Sequence, residues 1–119
     1  MRVKRGVKAR RRRKRLLAIA SGFRGRSKNT IRQGRSRVDK SLTYRFRDRR
    51  VKKRDFRRLW IQRIGAAARL ENLTYSRLIN GLKLAGVTID RKVLSELGAM
   101  NPDAFKKVVE VARTALAAK

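Results

Sequence analysis

The sequence has no cysteine and no histidine, and a single proline, Pro102, among its 119 residues. Without cysteine there is no disulfide and no thiolate metal ligand, and the redox compartment is left unconstrained. Without histidine the commonest general base and a common zinc ligand are both missing. Acids are scarce, 8 Asp and Glu in all. No apolar run approaches the ~20 residues that span a membrane. The longest apolar stretch near the start, residues 16–20, is also shorter than the about 7 to 15 residues of a secretory h-region.

What the chain does have is positive charge. Its 36 Lys and Arg against 8 acids leave a formal net charge of +28, with a pI near 12.0. A chain so self-repelling calls for a polyanion partner. The charge is uneven. Residues 1–58 hold 26 cations and 3 acids, a net of +23, and residues 59–119 hold 10 and 5, a net of +5. Apolar residues run the other way, 17 in the first stretch and 32 in the second. The reading is an all-α protein: a long basic helical N-terminal extension, residues 1–58, followed by a small C-terminal helical bundle, residues 59–119.

The start is nearly a polycation: Arg2, Lys4, Arg5 and Lys8, then Arg10, Arg11, Arg12, Arg13, Lys14 and Arg15 without a break. Good helix formers at Ala9 and residues 16–20 predict a helix over about residues 8–20, ended by Gly22 at positive φ. An Arg-rich, acid-poor start also suits a transit peptide, and a short basic run suits a nuclear localisation signal. A nucleic-acid-binding tail accounts for the same residues. Residues 23–29 read as a loop, and Asn29 or Thr30 can cap a second helix. From Ile31 to about Glu71 nothing breaks the helical pattern. Forty residues of helix would be ~60 Å long, more than a compact domain of this mass needs, so the helix would have to protrude.

Residues 45–58 carry the functional argument. Arg45, Arg47, Arg49, Arg50, Lys52, Lys53, Arg54, Arg57 and Arg58 lie on every side of a helix at 100° per residue, where a surface helix should show an apolar stripe. Five like-charge i,i+4 pairs arise, at a cost of about 0.2–0.5 kcal/mol each in a free helix. Asp48 beside Lys52 and Asp55 beside Arg58 offset a little of that. Solvated surfaces normally mix both signs, so a solubility role does not explain the run. A helix charged all round fits a path through folded RNA; one lying on the outside of a duplex needs only one basic face. Arg dominates, and its guanidinium fork binds phosphate bidentately and stacks on bases. Phe23, Tyr44, Phe46 and Phe56, interleaved with the cations, can stack on unpaired bases. Phe56 is equally suited to anchoring the bundle.

The second half reads as packed helices. Phe56, Trp60, Ile64, Ala67 and Ala68 recur every three to four residues. Thr74 can cap a third helix with Leu78, Ile79, Leu82 and Ala85 on one side and Gly86 at its end. Asp90 can cap a fourth, with Val93, Leu94 and Leu97 inward. Asn101 at N-cap, Pro102 at N1 and Asp103 near the dipole start a fifth, with Phe105, Val108, Val109, Ala112 and Leu116 inward. Trp60 is expected in the core, where its truncation to Ala would cost on the order of 3–5 kcal/mol. No catalytic constellation is present. The five carboxylates after residue 58 are caps or exposed helical positions, no pair has metal-binding spacing, and the Gly22-Phe23-Arg24-Gly25 stretch matches no nucleotide fingerprint. An enzyme is not expected, nor a cofactor, a metal, a small-molecule substrate or a membrane.

The run YRFRDRRVKKRDFRRLWIQRIGAAARL, residues 44–70, closely resembles bacterial-type ribosomal protein twenty of the large subunit. So do YSRLINGLKLAGVTIDRKVLSEL, residues 75–97, and the start with Ala20-Ser21-Gly22-Phe23-Arg24-Gly25. Three departures stand out. Gly65 occupies the place of a usual Asn and gives the helix a point to kink, and Leu84 and Ser21 each replace a usual Lys. The resemblance implies a helical extension that penetrates large-subunit ribosomal RNA, followed by a small helical domain on an RNA junction. It implies a role early in subunit assembly and none in peptide-bond chemistry, and in some members repression of their own messenger. Large-subunit proteins twenty-one and thirteen are the implied neighbours, and bacterial cytosol or an organelle ribosome the implied place. By position, Arg49, Arg50, Lys52, Lys53, Arg54, Arg57 and Arg58 correspond to the RNA-contacting segment, and residues 10–15 and 22–25 to the buried tail. Charge adds Arg2, Lys4, Arg5, Lys8, Arg26, Lys28, Arg32, Arg35, Arg45 and Arg47 to the RNA-binding candidates. A DNA-compacting basic protein is the alternative reading.

Overall fold

Residues 31–70 contain no proline, and one helix occupies all of them. The computed structural model describes residue 4 and residues 6–118, and among these the regular elements are helical, with no strand. In chain order they are α1 (Gly6–Ile19), a 3-10 turn (Gly25–Lys28), α2 (Ile31–Leu70), α3 (Tyr75–Leu84), α4 (Arg91–Met100) and α5 (Pro102–Ala117). This is the all-α architecture that the patterning implies. None of the helices is long and apolar enough to cross a membrane. The chain divides after Val51 into two compact units, with α2 contributing to both.

The first unit has little to bury. Its buried hydrophobic residues are Ala20 and Val38, with Leu16, Leu17 and Phe23 half-covered. α1 starts two residues earlier than the sequence implies and contains no acid. Gly22 stands at φ 87° after it, a conformation that costs an ordinary L-residue roughly 1 kcal/mol or more and glycine nothing. The expected loop contains the single 3-10 turn, which hands the chain on to α2.

The second unit holds the main core: Ile64, Ala68, Leu73, Leu78, Leu82, Leu94, Phe105, Val109 and Ala112. Each fully buried Leu, Ile, Val or Phe side chain contributes about 1.5–3 kcal/mol of transfer free energy. α5 packs chiefly on α3 and also on α4. Thr74 Oγ1 accepts the Arg77 amide at 3.4 Å and Asp90 Oδ1 accepts the Val93 amide at 2.8 Å, so both expected caps form. Asn101 precedes α5 as expected, but its side chain caps nothing. α2 runs through Gly65 unbroken. It ends on Asn72, in the left-handed region at φ 55°, while the Leu73 amide donates back to the Ala68 carbonyl at 2.9 Å. The sequence reading puts the end at about Glu71, one residue past Leu70, but names no stop signal; Asn does here what Gly usually does.

Two inward assignments are corrected. Val93 is 45% exposed; the buried residues of that helix are Leu94 and Ser95, with Leu97 partly buried against the core. Trp60 is half-buried and lies outside the core cluster; packing begins one turn later, at Ile64. Its large ring rests against Phe56, with centroids 6.2 Å apart.

Candidate nucleic-acid interface

From Leu42 to Leu59 every residue of α2 is exposed. Those 18 residues are five turns of helix at 3.6 per turn, so solvent reaches every side of this segment. It carries nine cations and two acids, Asp48 and Asp55, a net of +7. Asp48 pairs with its neighbour Arg47 at 2.6 Å, where the sequence suggested Lys52, and Asp55 reaches Arg58 at 3.7 Å. Both pairs are open to solvent and add little to stability. Among the described residues, seven guanidinium or ammonium groups of the segment therefore have no ion-pair partner: Arg45, Arg49, Arg50, Lys52, Lys53, Arg54 and Arg57.

Aromatic rings hold several of these cations in place. Arg50 Cζ lies 4.0 Å from the Phe46 ring centroid and Arg49 Cζ lies 5.9 Å from it. Arg47 stands over Tyr44 at 4.7 Å and Lys52 over Phe56 at 5.7 Å. Each contact is worth about 0.5–1 kcal/mol at an exposed site and limits how far the side chain wanders. Phe56 is 45% exposed and lies outside the core cluster, so it is not the bundle anchor that the sequence allowed.

The other candidates lie in the first unit. Lys8 and all six cations of residues 10–15 are exposed along α1, as are Arg24, Arg26 and Lys28 around the 3-10 turn and Arg32 and Arg35 in the first turns of α2. Gly22 and Gly25, both at positive φ, bracket the half-buried Phe23. Lys4 is exposed, while Arg2 and Arg5 lie outside the described residues. Two exposed cations of α2 were overlooked, Arg37 and Lys40; the same one-signed charge pattern that marked their neighbours marks them too. Among the described residues no three carboxylates gather as a metal site would require. The arrangement suits neutralising phosphates at many points, and nothing in it suits bond-making chemistry.

The family model for ribosomal protein L20 matches residues 2–108. The chain belongs to the ribosomal protein L20 family. It is similar to the large ribosomal subunit protein bL20 of Beijerinckia indica subsp. indica, with 60% identity over 116 residues that cover 98% of this chain and 96% of that protein. The bL20 of Rhodospirillum centenum is 56% identical over 117 residues, 98% of each chain, and that of Geobacter metallireducens 56% over 113 residues, 95% and 97%. An L20 protein is a structural constituent of the large ribosomal subunit and not an enzyme, and these bacterial relatives place it in the cytoplasmic ribosome. The three-part motif match in the sequence and the all-helical fold agree with that membership.

Proposed function

We propose that this protein binds large-subunit ribosomal RNA directly, through the cations of α1, the 3-10 turn and α2, and that RNA completes the fold of the basic half. The observation that carries this is the five-turn stretch of α2, exposed on every side, with nine cations against two acids. Three like-charge pairs line one face as Arg45, Arg49, Lys53 and Arg57, and two more join Arg50, Arg54 and Arg58. Together they cost the free helix about 1–2.5 kcal/mol at low salt, and phosphates on several sides remove that cost. Each phosphate neutralised releases condensed counterions, so affinity falls steeply with salt.

Residues 1–58 act as the RNA-penetrating extension and residues 59–119 as a globular domain that seats on the surface; continuous exposure up to Leu59 supports that division, although the compact units part earlier, after Val51. A segment that gains its shape from RNA must enter before the RNA closes around it, which places the protein early in subunit assembly. Neighbouring large-subunit proteins, twenty-one and thirteen among them, complete its surroundings. Repression of its own messenger would draw on the same cations.

Competition decides between this reading and DNA compaction. The full chain is titrated with a large-subunit rRNA transcript and with duplex DNA from about 50 to 200 mM salt. The expected result is strong preference for the folded transcript and an affinity loss of about a thousandfold or more across that range. Equal binding of duplex DNA sinks the reading.

A further inference from the structure

The Gly22-Phe23-Arg24-Gly25 stretch, with a single cation, is poorly explained by charge neutralisation. Two glycines at positive φ, 87° and 61°, bracket Phe23, which is half-buried. Between the turn and α2, within the first unit, lies a cavity of about 590 Å³. Gly22, Phe23 and Arg24 form one wall, and Arg37, Lys40 and Tyr44 the other. The size suits one small ligand, for which sites of ~300–1,000 Å³ are usual. Its walls are mostly apolar, its lining carries three cations, and no acid takes part in it.

We propose that this cavity takes one unstacked nucleotide of the RNA strand, the base against Phe23 and Tyr44 and the phosphate among Arg24, Arg37 and Lys40. The inference rests on the RNA-binding reading and gives it a site that reads a flipped-out base and not charge alone. A hydrocarbon ligand would leave three cations without purpose, and a free phosphate would leave the aromatic walls without purpose; a nucleotide uses both. Tyr44 is 44% exposed, with Lys40 Nζ 5.1 Å and Arg47 Cζ 4.7 Å from its ring centroid. Both are exposed, flexible side chains that a base can displace, and each displaced cation has a phosphate to meet. Unpaired bases stacked on aromatic rings and guanidinium planes are the common mode of single-stranded RNA recognition. Duplex DNA offers no such base.

The test has two arms on the full chain bound to a large-subunit rRNA transcript. Ultraviolet irradiation followed by digestion and mass spectrometry reads direct base contact and needs no variant; a nucleotide adduct on Phe23 or Tyr44 is expected. Tyr44→Ala removes a wall from an exposed helix position, and Ser41→Phe fills the cavity from the same helix. Each is expected to weaken binding roughly tenfold with the salt slope unchanged, because every phosphate keeps its cation, while Tyr44→Phe keeps wild-type affinity. Wild-type affinity for both Tyr44→Ala and Ser41→Phe, adducts only elsewhere, or weaker binding accompanied by a flatter slope overturns the cavity assignment and leaves RNA binding standing. Competition by adenosine monophosphate at micromolar concentration overturns it too, since the site would then serve a free nucleotide. If the wild-type chain shows no salt-dependent binding to the transcript, the broader reading fails first and the cavity assignment with it.

Discussion

Gly81 of α3 lies directly against Ala112 of α5: a β-carbon placed on Gly81 would stand 2.5 Å from the Ala112 carbonyl oxygen and 2.9 Å from its Cβ. The obstacle is backbone, which cannot swing aside as the end of a flexible side chain can. α3 and α5 form the most extensive helix pairing in the second unit, and Gly81 lets them approach closely at this point. Gly81→Ala gains about 1 kcal/mol of intrinsic helix propensity in an open helix. Here the two helices must part, and forcing volume into a packed core costs typically about 1–3 kcal/mol, more so against rigid backbone, which outweighs that gain. Thermal unfolding followed by circular dichroism should show a lower midpoint for Gly81→Ala. A raised midpoint would mean that α3 and α5 sit further apart than described.

The two helix starts that look alike in sequence should behave differently. Asp90 Oδ1 accepts the Val93 amide at 2.8 Å, whereas the Asn101 side chain makes no cap bond to α5. Asp90→Ala should cost about 1 kcal/mol, in line with N-cap replacements generally. Asn101→Ala should change stability by only a few tenths, because Pro102 at the first helical position already sets φ and lacks the N–H that would need a partner. Equal losses in paired denaturant titrations would show that both residues cap.

Trp60 and Phe105 set a second contrast. Phe105 is 2% exposed within the core cluster, while Trp60 is half-buried and touches Phe56 on the exposed run of α2. Phe105→Ala should therefore cost about 3–5 kcal/mol. Trp60→Ala should cost about 1–2 kcal/mol, since only part of its ring leaves water on folding. Intrinsic tryptophan fluorescence of the wild type gives an independent check: its emission should lie toward the red, as for an indole in partial contact with solvent.

Most of the fold was legible because helix signals are local. Thr74, Asp90 and Pro102 announce three helix starts, and the run without proline from residue 31 announces α2. What the periodicity could not supply was where packing begins. Phe56, Trp60 and Ile64 follow one helical stripe in sequence, but that stripe meets α3–α5 only from Ile64 onward, and how far a neighbouring helix reaches along it is a tertiary fact. The end of α2 was legible to within a residue, at about Glu71, but its signal was not, because an Asn takes the place of Gly at a left-handed stop. The basic interface was legible as composition. Its finer structure was not: which acid pairs with which cation depends on side-chain reach, and Asp48 found the adjacent Arg47 rather than Lys52 one turn on. The cavity beside Phe23 lay beyond reach for the same reason, since residues 22–24 and residues 37–44 meet only in the folded unit.

The charge on α2 makes two effects of one substitution run in opposite directions. Replacing Arg49, Lys53 and Arg57 together with Gln removes three of the five i,i+4 repulsions, those of 45 with 49, 49 with 53 and 53 with 57. At about 0.2–0.5 kcal/mol each, the free helix gains roughly 0.6–1.5 kcal/mol, and Gln is itself a good helix former. Far-ultraviolet circular dichroism of the free chain at low salt should therefore show more helix in the variant than in the wild type. The same change removes three positive groups that have no ion-pair partner among the described residues, so RNA binding should weaken, with a salt slope flatter by about one unit for each phosphate left without its cation. The core from Ile64 onward lies outside the substituted positions and should melt unchanged. Electrostatic strain relieved by phosphate predicts both signs at once. A variant with less helix as well as weaker RNA affinity would mean that these cations stabilise α2 within the protein itself, and that the helix does not depend on RNA for its shape.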